Sequence, residues 1–79
     1  MKQILTGVVN KMGLLNLIVT GQKENLIRIS IHGNEQWVGE GDSFHILNDE
    51  WVVKQINNVP SDSSRILVPN NVIAVVSQA

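Results

Sequence analysis

Apolar and polar residues alternate with a period of two over much of the chain, which is the pattern of a β-strand with one buried face. The clearest case is LIRISIH, residues 26–32, where three isoleucines alternate with Arg28, Ser30 and His32. The isoleucines are expected in the core and the polar residues on a solvated face. The next residues, Gly33–Asn34, are typical of a tight turn, so the pattern predicts a hairpin.

Short polar or glycine-containing turns divide the rest of the chain into further apolar segments. The predicted strands, in addition to LIRISIH, are residues 14–20, 36–38, 43–47, 50–56, 65–68 and 72–77. The strand that contains EWVVKQI requires a bulge, because Val52, Val53 and Ile56 cannot share one face of a regular strand.

Residues 2–12 fit two structures. Their apolar residues fall on one stripe of a helix, and Gly13 stands where a helix C-cap is expected. Thr6, Gly7 and two adjacent valines are weak helix formers, which favours a strand over residues 4–9 instead. A short N-terminal helix is the first choice and the strand is the alternative.

The connections are too short for βαβ crossovers, so the sheet is expected to be antiparallel. A single domain, residues 1–79, with five to seven short strands forms a small β-barrel or a strongly bent sheet most economically. The ending RILVPNNVIAVV is similar in outline to the last strands of SH3-like and Sm-like barrels, and an OB-like barrel fits the same strand count. The predicted core consists of Ile27, Ile29, Ile31, Phe44, Ile46, Val53, Ile66, Val68 and Val75.

Composition excludes several classes of protein. The chain has no cysteine, so it has neither a disulfide framework nor a cysteine-based zinc site. No apolar stretch approaches the length of a membrane span, and the N-terminus does not resemble a signal peptide. A cytoplasmic location is therefore expected. The net charge is −1, and the six basic residues form no block.

The segment WVGEGDSFHILNDEW, residues 37–51, concentrates the candidate chemistry. It holds both tryptophans, His45 and four of the seven acidic residues. The carboxylates fall at the two ends of one predicted strand, about 13 Å apart at ~3.3 Å per residue, so they cannot converge on one ion. A hairpin with charged tips is the preferred interpretation, and no metal or other cofactor is expected.

Catalysis is not expected either. No nucleophile elbow or phosphate-binding loop is present, and the serines at 61, 63 and 64 have the composition of an ordinary loop. A barrel of this size fills its interior with side chains and leaves no substrate pocket. A small enzyme is the third-ranked hypothesis.

The leading hypothesis is a non-catalytic protein-interaction module that self-associates or serves as an accessory or structural subunit of a larger assembly, such as a phage-encoded one. So short and aliphatic a chain is expected to leave apolar surface uncovered. The predicted partner-binding residues are Trp37, Arg28 and His32, whereas Trp51 is expected in the core.

The alternative is an Sm-like or OB-like nucleic-acid-binding protein. Its contacts would come from Lys23, Arg28, Lys54 and Arg65, together with His32 and a tryptophan that stacks on a base. The absence of a basic cluster in the sequence ranks this hypothesis second.

Overall fold

The computed structural model describes residues 1–57 and 71–79 of the chain, and all the regular structure in these residues is β. The strands are β1 Lys2–Leu5, β2 Asn10–Met12, β3 Leu15–Lys23, β4 Leu26–Ile31, β5 Asn34–Val38, β6 Ser43–Ile46, β7 Asp49–Ile56 and β8 Val72–Gln78. The mainly-β prediction is confirmed, although the described residues hold eight strands rather than five to seven. They contain no helix that could cross a membrane.

The predicted N-terminal helix is wrong. Residues 2–12 form β1 and β2, separated by a turn in which Gly7 has a φ of 70°. Residues other than glycine rarely adopt this backbone conformation, and Gly7 therefore allows the chain to turn here. The helix-like spacing of the apolar residues does not correspond to one buried face, since Ile4 and Met12 are buried in the core but Val9 is exposed.

The strands form two four-stranded antiparallel sheets. Sheet 1 has the order β1-β8-β7-β6, and sheet 2 has the order β2-β3-β4-β5. Within the described residues the chain passes between the sheets at residues 6–9 (the first corner) and at residues 39–42 (the second corner). The antiparallel arrangement is confirmed, but the strand pairings of the described residues do not close a barrel.

Sheet 2 is a meander with two-residue turns. The hairpin between β4 and β5 turns at His32–Gly33, because Ile31 pairs with Asn34. Both turn residues have positive φ values, 52° and 82°, as a type I′ turn requires. The turn therefore lies one residue earlier than Gly33–Asn34, and His32 belongs to the turn rather than to the polar face of β4.

The core lies between the two sheets and confirms most of the predicted burial. Of the predicted core residues, six are buried: Ile27, Ile29, Ile31, Phe44, Ile46 and Val53. Val75 is only half-buried, because β7 is bulged between Val53 and Gln55 and the resulting register pairs Val53 with Val76. The bulge in EWVVKQI is thus confirmed. The predicted strand at 65–68, with Ile66 and Val68, lies outside the described residues.

Candidate functional site

The acidic residues of the second corner bind the backbone of the protein itself. The Asp42 carboxylate accepts a hydrogen bond from the Gly39 N–H at 2.8 Å, and the Glu40 carboxylate accepts one from the Ile56 N–H at 2.9 Å. Each carboxylate therefore fixes a turn or a strand end. Within residues 1–57 and 71–79, no three histidine or acidic side chains are grouped so that they could hold a metal ion.

The two histidines belong to different sheets of the fold. His45 is exposed on β6, while its neighbours Phe44 and Ile46 are buried, as the alternation predicted. Its cross-strand partner in sheet 1 is Glu50. His32 occupies a hairpin turn of sheet 2. Strands β4 and β6 are not neighbours, so the two imidazoles do not form a cross-strand pair.

Trp37 lies on the outer face of sheet 2 and keeps 44% of its surface exposed. It is directly opposite Arg28 on β4. The guanidinium carbon of Arg28 lies 5.5 Å from the centre of the indole ring, which is within the range of a cation–π contact. A large aromatic ring is thus presented to solvent with one face covered by a cation.

Arg28 is itself held in place by neighbouring strands. Its Nε donates to the Thr20 hydroxyl at 2.9 Å, and its Nη2 donates to the Thr20 carbonyl at 2.8 Å. On the other side, the Glu35 carboxylate lies 3.6 Å from Nε. The guanidinium also lies against Gly21, since a Cβ there would be in van der Waals contact with it at 3.4 Å. The Arg28–Trp37 pair is therefore a positioned element rather than two freely rotating side chains.

Trp51 has a different environment from Trp37. It lies opposite Phe44 on the neighbouring strand β6, is half-buried, and packs against the core cluster. Its Nε1 is buried without a hydrogen-bond partner in the described part of the chain. The prediction that Trp51 contributes to the core and Trp37 is the more exposed ring agrees with this arrangement.

Among the described residues, the basic side chains proposed for nucleic-acid binding come from both sheets. Lys23 ends β3 in sheet 2, whereas Lys54 lies at the bulge of β7 in sheet 1. Arg28 is engaged by Glu35 and Thr20. Arg65 lies outside the described residues.

One apolar residue on the same outer face as Trp37 was not predicted from the sequence. Ile18 is 41% exposed and pairs with Ser30, which in turn pairs with Glu35. Its position in the apolar run LLNLIVT hid its exposure, because buried residues flank it on both sides. We call Ile18, Arg28, Glu35 and Trp37 together the Trp37 surface.

An open cavity of about 530 Å³ lies at the end of the molecule where the second corner meets the turn between β3 and β4. It is lined by Asn25, Leu26, Gly39, Glu40, Asp42 and Ile56. Its two carboxylates accept backbone hydrogen bonds, and none of the described residues that line it is basic. The two negative charges disfavour a phosphate at this position.

No protein-family model, curated protein or solved structure matched this chain in our comparisons.

Proposed function

We propose that this chain is a non-catalytic protein-interaction module that docks through the Trp37 surface. It self-associates or serves as an accessory or structural subunit of a larger assembly. The observation that carries the proposal is the exposed indole of Trp37, positioned by an arginine that is itself fixed by Thr20 and Glu35.

The composition of the Trp37 surface supports docking to protein. Tryptophan and arginine are enriched among the residues that dominate binding energy at protein interfaces. Because Arg28 is held by two hydrogen bonds and an ion pair, less side-chain entropy is lost when the surface is covered. Ile18 adds apolar area, and Glu35 supplies the polar rim. His32 is exposed at the tip of the same hairpin and is a further contact on this side of the molecule.

The test compares wild-type protein with Trp37→Ala. We expect the substitution to weaken association, measured by sedimentation and by affinity capture from the cells that encode the protein, by about 2 kcal/mol or ~30-fold. Leu14→Ala is the matched control, because Leu14 is an exposed apolar residue at another hairpin tip of sheet 2. Unchanged association of Trp37→Ala would overturn the proposal.

Trp51 provides the structural contrast. Since this ring packs against the core, Trp51→Ala should lower the free energy of unfolding by about 3 kcal/mol, at the lower end of the range for aromatic truncations. Trp37→Ala should change it by less than about 1 kcal/mol. Single-tryptophan variants, Trp37→Phe and Trp51→Phe, allow each ring to be probed with an aqueous fluorescence quencher. Equal shielding of the two rings in a monomer would remove Trp37 as the docking residue.

Nucleic-acid binding is the competing function, because a positioned arginine–tryptophan pair can also stack a base. The Glu35 carboxylate beside Arg28 opposes a phosphate at this position. Counterion release requires that binding to nucleic acid falls steeply with salt. The test is retention of the protein on single-stranded RNA or DNA. Nucleic-acid binding would be favoured over protein docking if the protein is retained at low salt and the logarithm of the binding constant falls linearly with the logarithm of the salt concentration.

A further inference from the structure

Strand β5 is an edge strand of sheet 2 within the described residues. Among the four edge strands described, it is the longest: β5 has five residues, β1 and β6 have four each, and β2 has three. An edge strand presents unpaired backbone N–H and C=O groups, to which another strand can bind. β5 also carries Trp37 of the Trp37 surface.

The register of the β4–β5 hairpin determines which backbone groups of β5 point outwards. In the turn that Ile31 and Asn34 close, the N–H of Asn34 is directed to β4. Direction alternates along an antiparallel strand, so Gln36 and Val38 are also directed to β4. The N–H and C=O groups of Glu35 and Trp37 therefore point away from the sheet.

We propose that a second copy of the chain binds along β5, antiparallel, with Gln36 facing the partner's Gln36 across a two-fold axis. This inference rests on the proposed docking function and names the partner and the binding geometry. In this register all of β5 is paired, and Glu35 lies opposite the partner's Trp37. Both residues direct their backbone groups outwards, so each such pair exchanges two N–H···O bonds. The two copies then share one continuous eight-stranded sheet, since sheet 2 has four strands.

Charge favours this register over its neighbours. It brings the Glu35 carboxylate beside the partner's Trp37, whose ring is covered by the partner's Arg28. The acidic side chain of each copy thus lies one strand from the basic side chain of the other, so that opposite charges are near each other across the interface. A shift of two residues in one direction places Glu35 opposite the partner's Glu35, which is unfavourable. The opposite shift leaves part of β5 unpaired.

The chain contains no cysteine, so single cysteines can report the register. Gln36 and the partner's Gln36 form a non-hydrogen-bonded pair with Cα atoms about 4.5 Å apart, within the range of a disulfide. We expect Gln36→Cys to form a covalent dimer under mild oxidation at least tenfold faster than Glu35→Cys, Trp37→Cys or Lys11→Cys. Lys11 is the control because it lies on β2, the opposite edge strand of the same sheet. Fastest cross-linking at Glu35 or Trp37 would overturn the register, and equal rates at all four positions would overturn the β5 interface.

A proline tests the backbone bonds. Glu35→Pro removes an N–H that points away from β4, so the hairpin should persist while dimerisation weakens at least tenfold. Glu35→Gln separates the loss of the carboxylate from the loss of the N–H. His45→Pro is the matched control, because His45 has the same orientation on β6, the edge of sheet 1. Sedimentation equilibrium over a range of protein concentrations measures each variant.

The outcomes separate this inference from the proposed function. A dimer weakened by Trp37→Ala and by Glu35→Pro but not by His45→Pro supports both. A dimer or complex weakened by Trp37→Ala and unaffected by Glu35→Pro leaves the docking function and overturns pairing along β5. A chain that stays monomeric at every concentration overturns the second copy as partner. Association that is insensitive to Trp37→Ala overturns the proposed function itself.

Discussion

The chain crosses between its two sheets at the first and second corners. The backbone N–H and C=O groups at these corners find their hydrogen-bond partners in different ways. At the first corner the side chain of Asn10, only 5% exposed, bonds the end of β1. Its Oδ1 accepts from the Leu5 N–H at 2.8 Å, and its Nδ2 donates to the Leu5 carbonyl at 2.9 Å and the Leu17 carbonyl at 3.1 Å. One amide thus links three backbone groups from strands of both sheets.

The second corner is exposed and uses carboxylates. Asp42 and Glu40 each accept one backbone N–H, from Gly39 and Ile56. The Gly41 N–H also donates to the Val53 carbonyl at 2.8 Å, so the backbone contributes to the closure of this corner. If Glu40 is removed, water can replace its exposed bond to the Ile56 N–H, whereas the bond between Asp42 and the Gly39 N–H is partly buried.

This difference shows that the number of charges at a corner is a poor measure of how much the corner contributes to the free energy of unfolding. A hydrogen bond is worth most when its loss leaves a buried partner unsatisfied, and much less when water replaces it. The second corner is the more charged of the two in the sequence, whereas the neutral segment TGVVN contains Asn10, whose side chain makes one buried and three partly buried hydrogen bonds.

The largest effect is expected from Asn10→Ala. The substitution removes the bonds of the Asn10 side chain to the Leu5 N–H and to the carbonyls of Leu5 and Leu17, of which the last is buried and the other two are partly buried. A buried group that loses its partner costs about 1–3 kcal/mol. We expect the free energy of unfolding, measured with urea, to fall by at least about 3 kcal/mol. Asn16→Ala is the control, because Asn16 is exposed on the adjacent strand and should change stability by less than about 0.5 kcal/mol. A loss below about 1 kcal/mol for Asn10→Ala would show that water enters the first corner.

Hydrophobic alternation in the sequence predicted the middle of the fold correctly. Ile27, Ile29 and Ile31 are buried because a strand with a period of two has only one inner face. The two strands in residues 2–12 could not be predicted in the same way, since the decisive features are a positive φ at Gly7 and a partly buried hydrogen bond from the Leu5 N–H to the Asn10 side chain. Neither feature can be recognised from the pattern of apolar and polar residues in the sequence.

The candidate site was predicted only in part, because it depends on register. The sequence indicated Trp37 and Arg28 separately, and nothing in it states that they face each other. Their contact follows from a turn at His32–Gly33 that lies one residue earlier than predicted. With the turn at Gly33–Asn34, Trp37 would instead lie opposite Ser30 and Arg28 opposite Gly39, so an error of one residue in the turn removes the pair.

At the second corner, Gly39→Ala is expected to be the most harmful substitution. A Cβ at this position would meet the Leu26 Cδ2 atom at 2.9 Å, closer than carbon atoms pack. Leu26 is 40% exposed and can move in part, so we expect a loss of about 1–2 kcal/mol. The double variant with Leu26→Ala supplies the control, because the second substitution removes the clash and the two losses should not add. Additive losses would show that the backbone of Gly39, rather than the contact with Leu26, is responsible.

The carboxylates of the second corner should have smaller effects. Asp42→Ala removes the acceptor for the Gly39 N–H, a bond that is partly buried, and should cost about 1 kcal/mol. Glu40→Ala removes an exposed bond to the Ile56 N–H and should cost about 0.5 kcal/mol or less. Asp42→Asn keeps an acceptor oxygen and is the matched variant for Asp42. If either alanine variant destabilised the protein as much as Asn10→Ala, the contrast between the two corners would be wrong.

The smallest expected effect is that of divalent metal ions on the second corner. Asp42 and Glu40 each use a carboxylate oxygen for a backbone N–H, and His45 lies on the outer face of β6 rather than beside them. A tight metal site needs at least three ligands that converge on one point. We therefore expect less than one equivalent of zinc after dialysis, and no shift in the thermal midpoint when calcium or zinc is added in excess. A stoichiometric metal that is lost in Glu40→Ala but retained in Glu24→Ala, an exposed acidic residue in another turn, would show that the second corner is a binding site. In that case the charges of the second corner would be there to bind an ion, and the backbone bonds of Asp42 and Glu40 would serve to orient its ligands.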